Sequence, residues 1–120
     1  MTREEVTAYI EKTYGVKPVY PWKVAPENAV FRHKDTGKWF AVVMPVRRDK
    51  LGYEDMEYVD VVTMKCDPFL IDGLVQTEGY HRGYHMNKSL WLTAELNWNV
   101  PNQKIKSLLD MSFQLTGGIN

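Results

Sequence analysis

Cysteine is nearly absent from this sequence: Cys66 stands alone, so no internal disulfide can form, and a stapled secreted scaffold is excluded. Net charge is absent too, with fifteen Lys and Arg against fifteen Asp and Glu. Proteins that hold duplex nucleic acid chiefly by neutralising phosphates carry a clear basic excess, and this chain has none overall. Long apolar runs are missing; Phe40 to Met44 is among the longest, far short of the roughly 20 residues of a membrane helix. Arg3, Glu4 and Glu5 near the start leave no apolar signal-peptide core. A cytoplasmic chain without a membrane role is the expectation. Gly79, Gly83 and the terminal Gly117-Gly118 do not form the strand-loop-helix arrangement that cradles phosphates, so nucleotide hydrolysis has no support.

Candidate chemistry is similarly thin. His81 and His85 lie four apart, a spacing that chelates metal on a helix, but Gly79 and Gly83 speak against a helix there. In extended chain the two are about 13 Å apart, too far to share an ion. A histidine bonded to a neighbouring strand or loop is the better reading, and neither a metal nor a cofactor is expected. Cys66 precedes Asp67, a helix N-cap, and a helix N-terminus can lower a thiol pKa. A lone cysteine at a strand-to-helix junction is nonetheless more often simply buried. Glu54 and Asp55 read as solvated loop charge.

What is present is apolar and aromatic. Hydrophobic residues make up 44% of the chain, with four Trp, seven Tyr and four Phe. That builds one core, so residues 1–120 are expected to form a single domain, with a monomer favoured. It also exceeds core filling, so some rings should lie at the surface. Charge is arranged in blocks. Lys17 to Lys50 holds eight Lys/Arg and three Asp/Glu, whereas Glu54 to Glu78 holds seven acidic residues and only Lys65. The blocks either intermingle on folding or present one basic and one acidic face.

Thr2 and Glu5 form a capping-box pattern, so a helix begins at once. Its stripe is Val6, Tyr9, Ile10 and Tyr14, and Gly15 is its stop. Val16 to Pro26 carries three prolines and reads as an extended linker with room for a short edge strand. Ala29–Lys34 and Lys38–Val46 flank Asp35-Thr36-Gly37, a hairpin with a bulge at Gly37. Its second strand is apolar on both faces, hence central and covered twice, or else using one face to bind. Tyr58 to Lys65 is a third strand. Asp67-Pro68 starts a short helix running to about Gln76, with Phe69, Leu70 and Leu74 as its buried set. The latter part of Glu78–Lys88 enters a strand. In the next strand Leu90, Leu92, Ala94 and Leu96 point one way while Trp91, Thr93 and Glu95 point the other. Asn99 and Pro101 introduce a last helix with the stripe Ile105, Leu108, Leu109, Ser112, ended by Gly117-Gly118. The class is α+β: a two-layer sandwich, an antiparallel sheet with helices on one face and the other face partly open.

Gly83-Tyr84-His85-Met86-Asn87-Lys88 followed by Trp91 resembles the most characteristic motif of the MmcQ/YjbR family. Lys38-Trp39-Phe40-Ala41, Asp67-Pro68, and Val100-Pro101 before Ile105-Lys106-Ser107-Leu108-Leu109 agree in order and spacing, with Phe113 near the end. The resemblance runs from about Ala29 to Leu115. It implies an α-β(3)-α-β(2)-α fold and DNA as a partner, and it supplies no catalytic residue. Ser89 and Leu90 stand where the family pattern has a basic residue and a histidine, and Arg82 where it has a proline.

The constellation left standing combines aromatics with cations: Arg32, Lys34, Lys38 and Trp39 on the first hairpin, and Tyr84, His85, Asn87, Lys88 and Trp91 in the motif. Rings interleaved with cations on a sheet can stack bases and hold phosphates, as single-strand binders do. A non-enzymatic nucleic-acid-binding domain is therefore the leading expectation. A protein-interaction module using the open sheet face is the alternative, and an enzyme ranks third.

Overall fold

The computed structural model describes residues 1–117. Its elements are α1 (Arg3–Tyr14), β1 (Ala29–Arg32), β2 (Trp39–Arg47), a 3-10 turn (Arg48–Leu51), β3 (Tyr58–Lys65), α2 (Pro68–Leu74), β4 (Tyr80–Arg82), β5 (Trp91–Glu95) and α3 (Asn102–Gly117). The expected element order and α+β class hold. All strand pairs are antiparallel, in the order β1-β2-β3-β5-β4. The second glycine of the expected Gly117-Gly118 stop lies outside the described residues.

Local chemistry sets the boundaries. The Thr2 side chain accepts from the Glu5 amide while Glu5 accepts from the Thr2 amide, and Gly15 ends α1 in the left-handed region at φ 69°. Asp67 caps α2 by accepting from the Phe69 amide, with Pro68 in the first turn. α1, α2 and α3 cover one sheet face, placing Val6, Ile10, Ile71, Ile105 and Leu109 against Phe31, Phe40, Met64 and Leu92. Each side chain so buried contributes about 1.5–3 kcal/mol.

Among the described residues no α-helix covers the opposite face, though Leu51 of the 3-10 turn packs against it. A smaller cluster there, Val30, Val42, Met44, Val46 and Val61, is partly roofed by Val19 and Trp22 of the proline-rich segment and by Tyr84. The short edge strand anticipated in that segment is one antiparallel bridge, in which Val19 and Val30 exchange amide hydrogen bonds of 2.9 and 2.8 Å.

A single irregularity decides what this face presents. Phe31 pairs with Ala41 but Arg32 pairs with Trp39, so Phe40 is the extra residue of a bulge. Strict alternation would put Trp39 on the same side as Ala41, beneath the helices. The bulge sends Phe40 there instead, fully buried, and releases Trp39 to the helix-free face. Ser112 fastens the bulge. Its hydroxyl donates to the Phe40 carbonyl at 2.6 Å and accepts from the Lys65 amide at 2.9 Å. A serine on the apolar stripe of α3 is thereby accounted for.

Three local expectations are corrected. In α2, Phe69 is 89% exposed and Ile71 is the fully buried residue, with Leu70 and Leu74 only half-buried. The Asp67 cap fixes the phase of a helix this short (it ends at Leu74, not near Gln76) and turns Phe69 outward. The fourth strand precedes Gly83 rather than following it, because residues 84–90 make the turn into β5. Leu90 belongs to that turn, its amide bonding the Asn87 carbonyl, and is 37% exposed instead of joining the Leu92 and Ala94 face.

Candidate functional site

Trp39 is the hub of the helix-free face. Its half-buried ring borders three clefts. One is an apolar cavity of about 320 Å³ between Trp22, Val42, Met44 and Tyr84. A second, at the edge of this face where Leu115 and Thr116 of α3 border it, opens toward Lys38, Lys65, Met86 and Trp91. A third lies between Trp39, Arg32 and Tyr20. Arg32 continues into a further cleft with Lys34 and Lys17. No Asp or Glu lines any of these four. Trp22 meets Trp39 edge to face, centroids 5.7 Å apart at 85°, an orientation that buries the pair without stacking it shut.

Among the described residues the cations in the clefts that Trp39 borders have no carboxylate partner, a state they share with Lys23, Lys50 and Lys104 elsewhere. Arg3, Lys17, Arg47, Arg48 and Arg82 each pair with a carboxylate, whereas among the described residues Arg32, Lys34, Lys38 and Lys65 make no ion pair. The charge blocks therefore mix at one end, where Arg48 meets Asp55 at 3.0 Å, and stay unmixed around Trp39. Lys34 is a partial exception to the free set, since its Nζ lies beside Gly15 at the C-terminus of α1, where the helix dipole favours a cation.

The Gly83 to Trp91 motif is mainly a turn that presents Tyr84 and Trp91. A Cβ on Gly83 would lie 2.7 Å from the Trp91 Cβ, so only glycine fits against that strand. The Tyr84 amide donates to Thr93 Oγ1. His85 adopts φ 62°, and its exposed ring lies 4.0 Å from that of Tyr84. The Asn87 side chain accepts from the Ser89 amide, and Lys88 Nζ donates to the Gly83 carbonyl at 2.9 Å. Of the nine candidates, the structure thus brings Arg32, Lys38, Trp39, Tyr84, His85 and Trp91 around connected clefts, while Asn87 and Lys88 are engaged in holding the turn.

The same face holds a second assembly that sequence reasoning passed over. Glu95, fully buried on β5, accepts from the Tyr53 hydroxyl, from His81 Nε2 at 2.7 Å and from Asn97 Nδ2 at 2.8 Å. Arg48 lies 3.9 Å above the Tyr53 ring. Burial acts to raise the Glu95 pKa, but the donors from Tyr53, His81 and Asn97 outweigh it and hold the carboxyl below its ordinary range. Burial first, and then the bond to Glu95, pushes the Tyr53 phenol up to about 12. The Trp91-Thr93-Glu95 alternation placed Glu95 on this face. It did not show that β3 and β4 flank β5 on both sides and that the turn carrying Tyr53 closes over it.

His81 thus bonds a neighbouring strand, as the spacing argument favoured. Among the described residues, no three His, Cys, Asp or Glu side chains gather as a metal site. Cys66 is buried, and burial followed by the adjacent Asp67 charge raises its thiol pKa, opposite to the activation that the N-cap position suggested. No helix among the described residues is long and apolar enough to cross a membrane.

A family model described as YjbR matches residues 11–115. The chain is 35% identical over 116 residues to the uncharacterized protein YyaQ of Bacillus subtilis, covering 97% of this chain and 98% of that protein. A crystal structure of a Pseudomonas syringae protein superposes with a TM-score of 0.93 at 40% identity, covering 97% of this chain and 99% of that one. Deinococcus radiodurans protein DR2400, described as a DUF419 domain, superposes with a TM-score of 0.74 at 21% identity, covering 98% of this chain and 79% of that one, and shares the fold.

Proposed function

The chain belongs to the YjbR family, and on that premise we propose that it is a non-enzymatic binding domain whose helix-free sheet face, centred on Trp39, holds single-stranded nucleic acid. One observation carries the reading. Every cleft that Trp39 borders is free of carboxylates, and two of them carry the unpaired cations Arg32, Lys38 and Lys65. A strand laid across such a face stacks bases on half-buried rings and sets its phosphates beside the cations. Zero net charge is compatible with this, because no Asp or Glu lines the clefts around Trp39. The test is anisotropy of a labelled oligothymidylate titrated with the chain at low and moderate salt. Affinity that falls with salt, and falls further in Lys38→Ala and Lys65→Ala, supports the reading; salt-insensitive binding, or none, defeats it.

A second reading has its own support. Val24 is 96% exposed and Tyr58 69% exposed beside Tyr84 and Met44. Such an apolar rim suits a protein partner, and pull-down by a chain altered at Val24→Ser and Tyr58→Ser tests it: retained partners would exclude that rim.

A further inference from the structure

We infer that the cavity between Trp22, Trp39 and Tyr84 is a pocket for one nucleobase, whose edge is read by the Asn28 carboxamide. The inference rests on the single-strand reading above and names the part of the ligand that this site takes.

Size, charge and hydrogen-bonding capacity converge on that class. At about 320 Å³ the cavity lies at the lower end of small-molecule sites, with room for a single ring system and not for a large ligand. No Asp, Glu, Lys or Arg lines it, and His85 at its rim is the one titratable imidazole there, so the lining favours an uncharged occupant. Its floor is Val42 and Met44 of β2, its walls are aromatic, and Met86 adds an adaptable thioether side chain. A flat apolar-faced ring fits between such walls.

Asn28 is the polar feature. Its Nδ2 has a thioether, Met44 Sδ at 3.9 Å, as its partner among the described residues, and a thioether is a weak acceptor. A carboxamide offers two donors and an acceptor with two lone pairs. Here little of that capacity is taken up by the protein, and half-buried Asn28 leaves it to solvent at the edge of an apolar cavity, where a ligand can replace water. The ligand that uses it is a flat ring with an adjacent donor and acceptor, the pairing by which a carboxamide engages adenine. The cationic residues sit outside, Arg32 and Lys38 in the clefts on other sides of Trp39. A neutral ring inside and an anionic link outside is the layout of a nucleotide in a strand.

Two titrations of the full chain test this. In the first, adenosine (and ribose as its control) is added to 15N-labelled protein while the Trp22 and Trp39 indole N–H signals are followed. Saturable shifts with adenosine and none with ribose are expected, and they should be lost in Asn28→Ala. Absence of shifts with adenosine overturns the pocket whether or not oligonucleotides bind. The second compares an oligoadenylate with an abasic oligomer of equal length and charge. Asn28→Ala should weaken the oligoadenylate about tenfold and leave the abasic oligomer unchanged, whereas Lys38→Ala should weaken both. An Asn28→Ala chain that keeps the wild-type ratio between the two oligomers overturns the inference while the single-strand reading survives. Failure of both oligomers to bind defeats that reading, and the adenosine titration then decides the pocket alone.

Discussion

The helix-free face has two ends, built on opposite plans. At the β5 end, Glu95 is fully buried and receives hydrogen bonds from Tyr53, His81 and Asn97, with Arg48 over Tyr53 and Asp55 on Arg48. At the β2 end, Trp39 is half-buried, Asn28 meets the Met44 thioether, and among the described residues Arg32, Lys38 and Lys65 pair with no carboxylate. The first end is saturated; the second holds unspent hydrogen-bonding and charge capacity. A saturated polar cluster fastens a fold, because any new partner must displace an existing one. An unsaturated one gains by taking a ligand. On the function proposed above, the cluster with the more familiar catalytic residue types is the structural one, and the plainer end is the binding one.

The comparison breaks most visibly at Glu95. Glu95→Ala leaves half-buried donors without their buried acceptor and should cost about 2 kcal/mol of stability, read by urea denaturation, while single-strand affinity at a temperature where the chain stays folded should change less than about twofold. A large affinity loss would make the two ends one site. Gly83→Ala, pressed against Trp91, should cost about 2 kcal/mol and should also weaken binding, because Tyr84 and Trp91 shift with the turn. Trp39→Ala should lower single-strand affinity at least about tenfold by removing a stacking surface. Lys38→Ala and Lys65→Ala should each lower low-salt affinity about threefold and flatten the salt dependence by about 0.7 in slope.

The smallest effect is in pH. Glu95 is held below its usual value near 4.5, so the folded chain binds fewer protons there than the unfolded chain. The contribution is full above that usual value and is lost as pH falls through the lower folded one. The stability gap between wild type and Glu95→Gln should therefore narrow as pH falls below the usual carboxyl value and through the lower folded one. A gap that stays constant would mean that folding leaves the Glu95 pKa unshifted, and one that widens as pH falls would mean that it is raised.

Local signals carried most of the fold. The Thr2-Glu5 box, Gly15, Asp67-Pro68 and the valines of β3 each act within a few residues, and their elements stand where those signals put them. The site was legible only in part. Trp39, Lys38, Tyr84 and Trp91 could be singled out as rings and cations near turns. Their common face depended on the bulge at Phe40, which is secured by Ser112 from 72 residues away. Trp22 and Asn28, on either side of Pro26, carry no periodic pattern and become site residues only because that segment folds back over Met44. Glu95 was invisible for a similar reason, since two of its donors, Tyr53 and His81, come from separate elements. Phe69 was misplaced because a seven-residue helix has too few turns for periodicity to fix its buried side.

The most direct measurement uses the four tryptophans as reporters. Their indole N–H signals can be followed in a 15N-labelled sample as an oligoadenylate is added at low salt. Trp98, 88% exposed in the turn after β5, is the internal control: accessible, but at the saturated end. The account predicts that Trp39, Trp22 and Trp91 shift and saturate together while Trp98 stays still. Shifts confined to Trp98, or equal across all four, would contradict it.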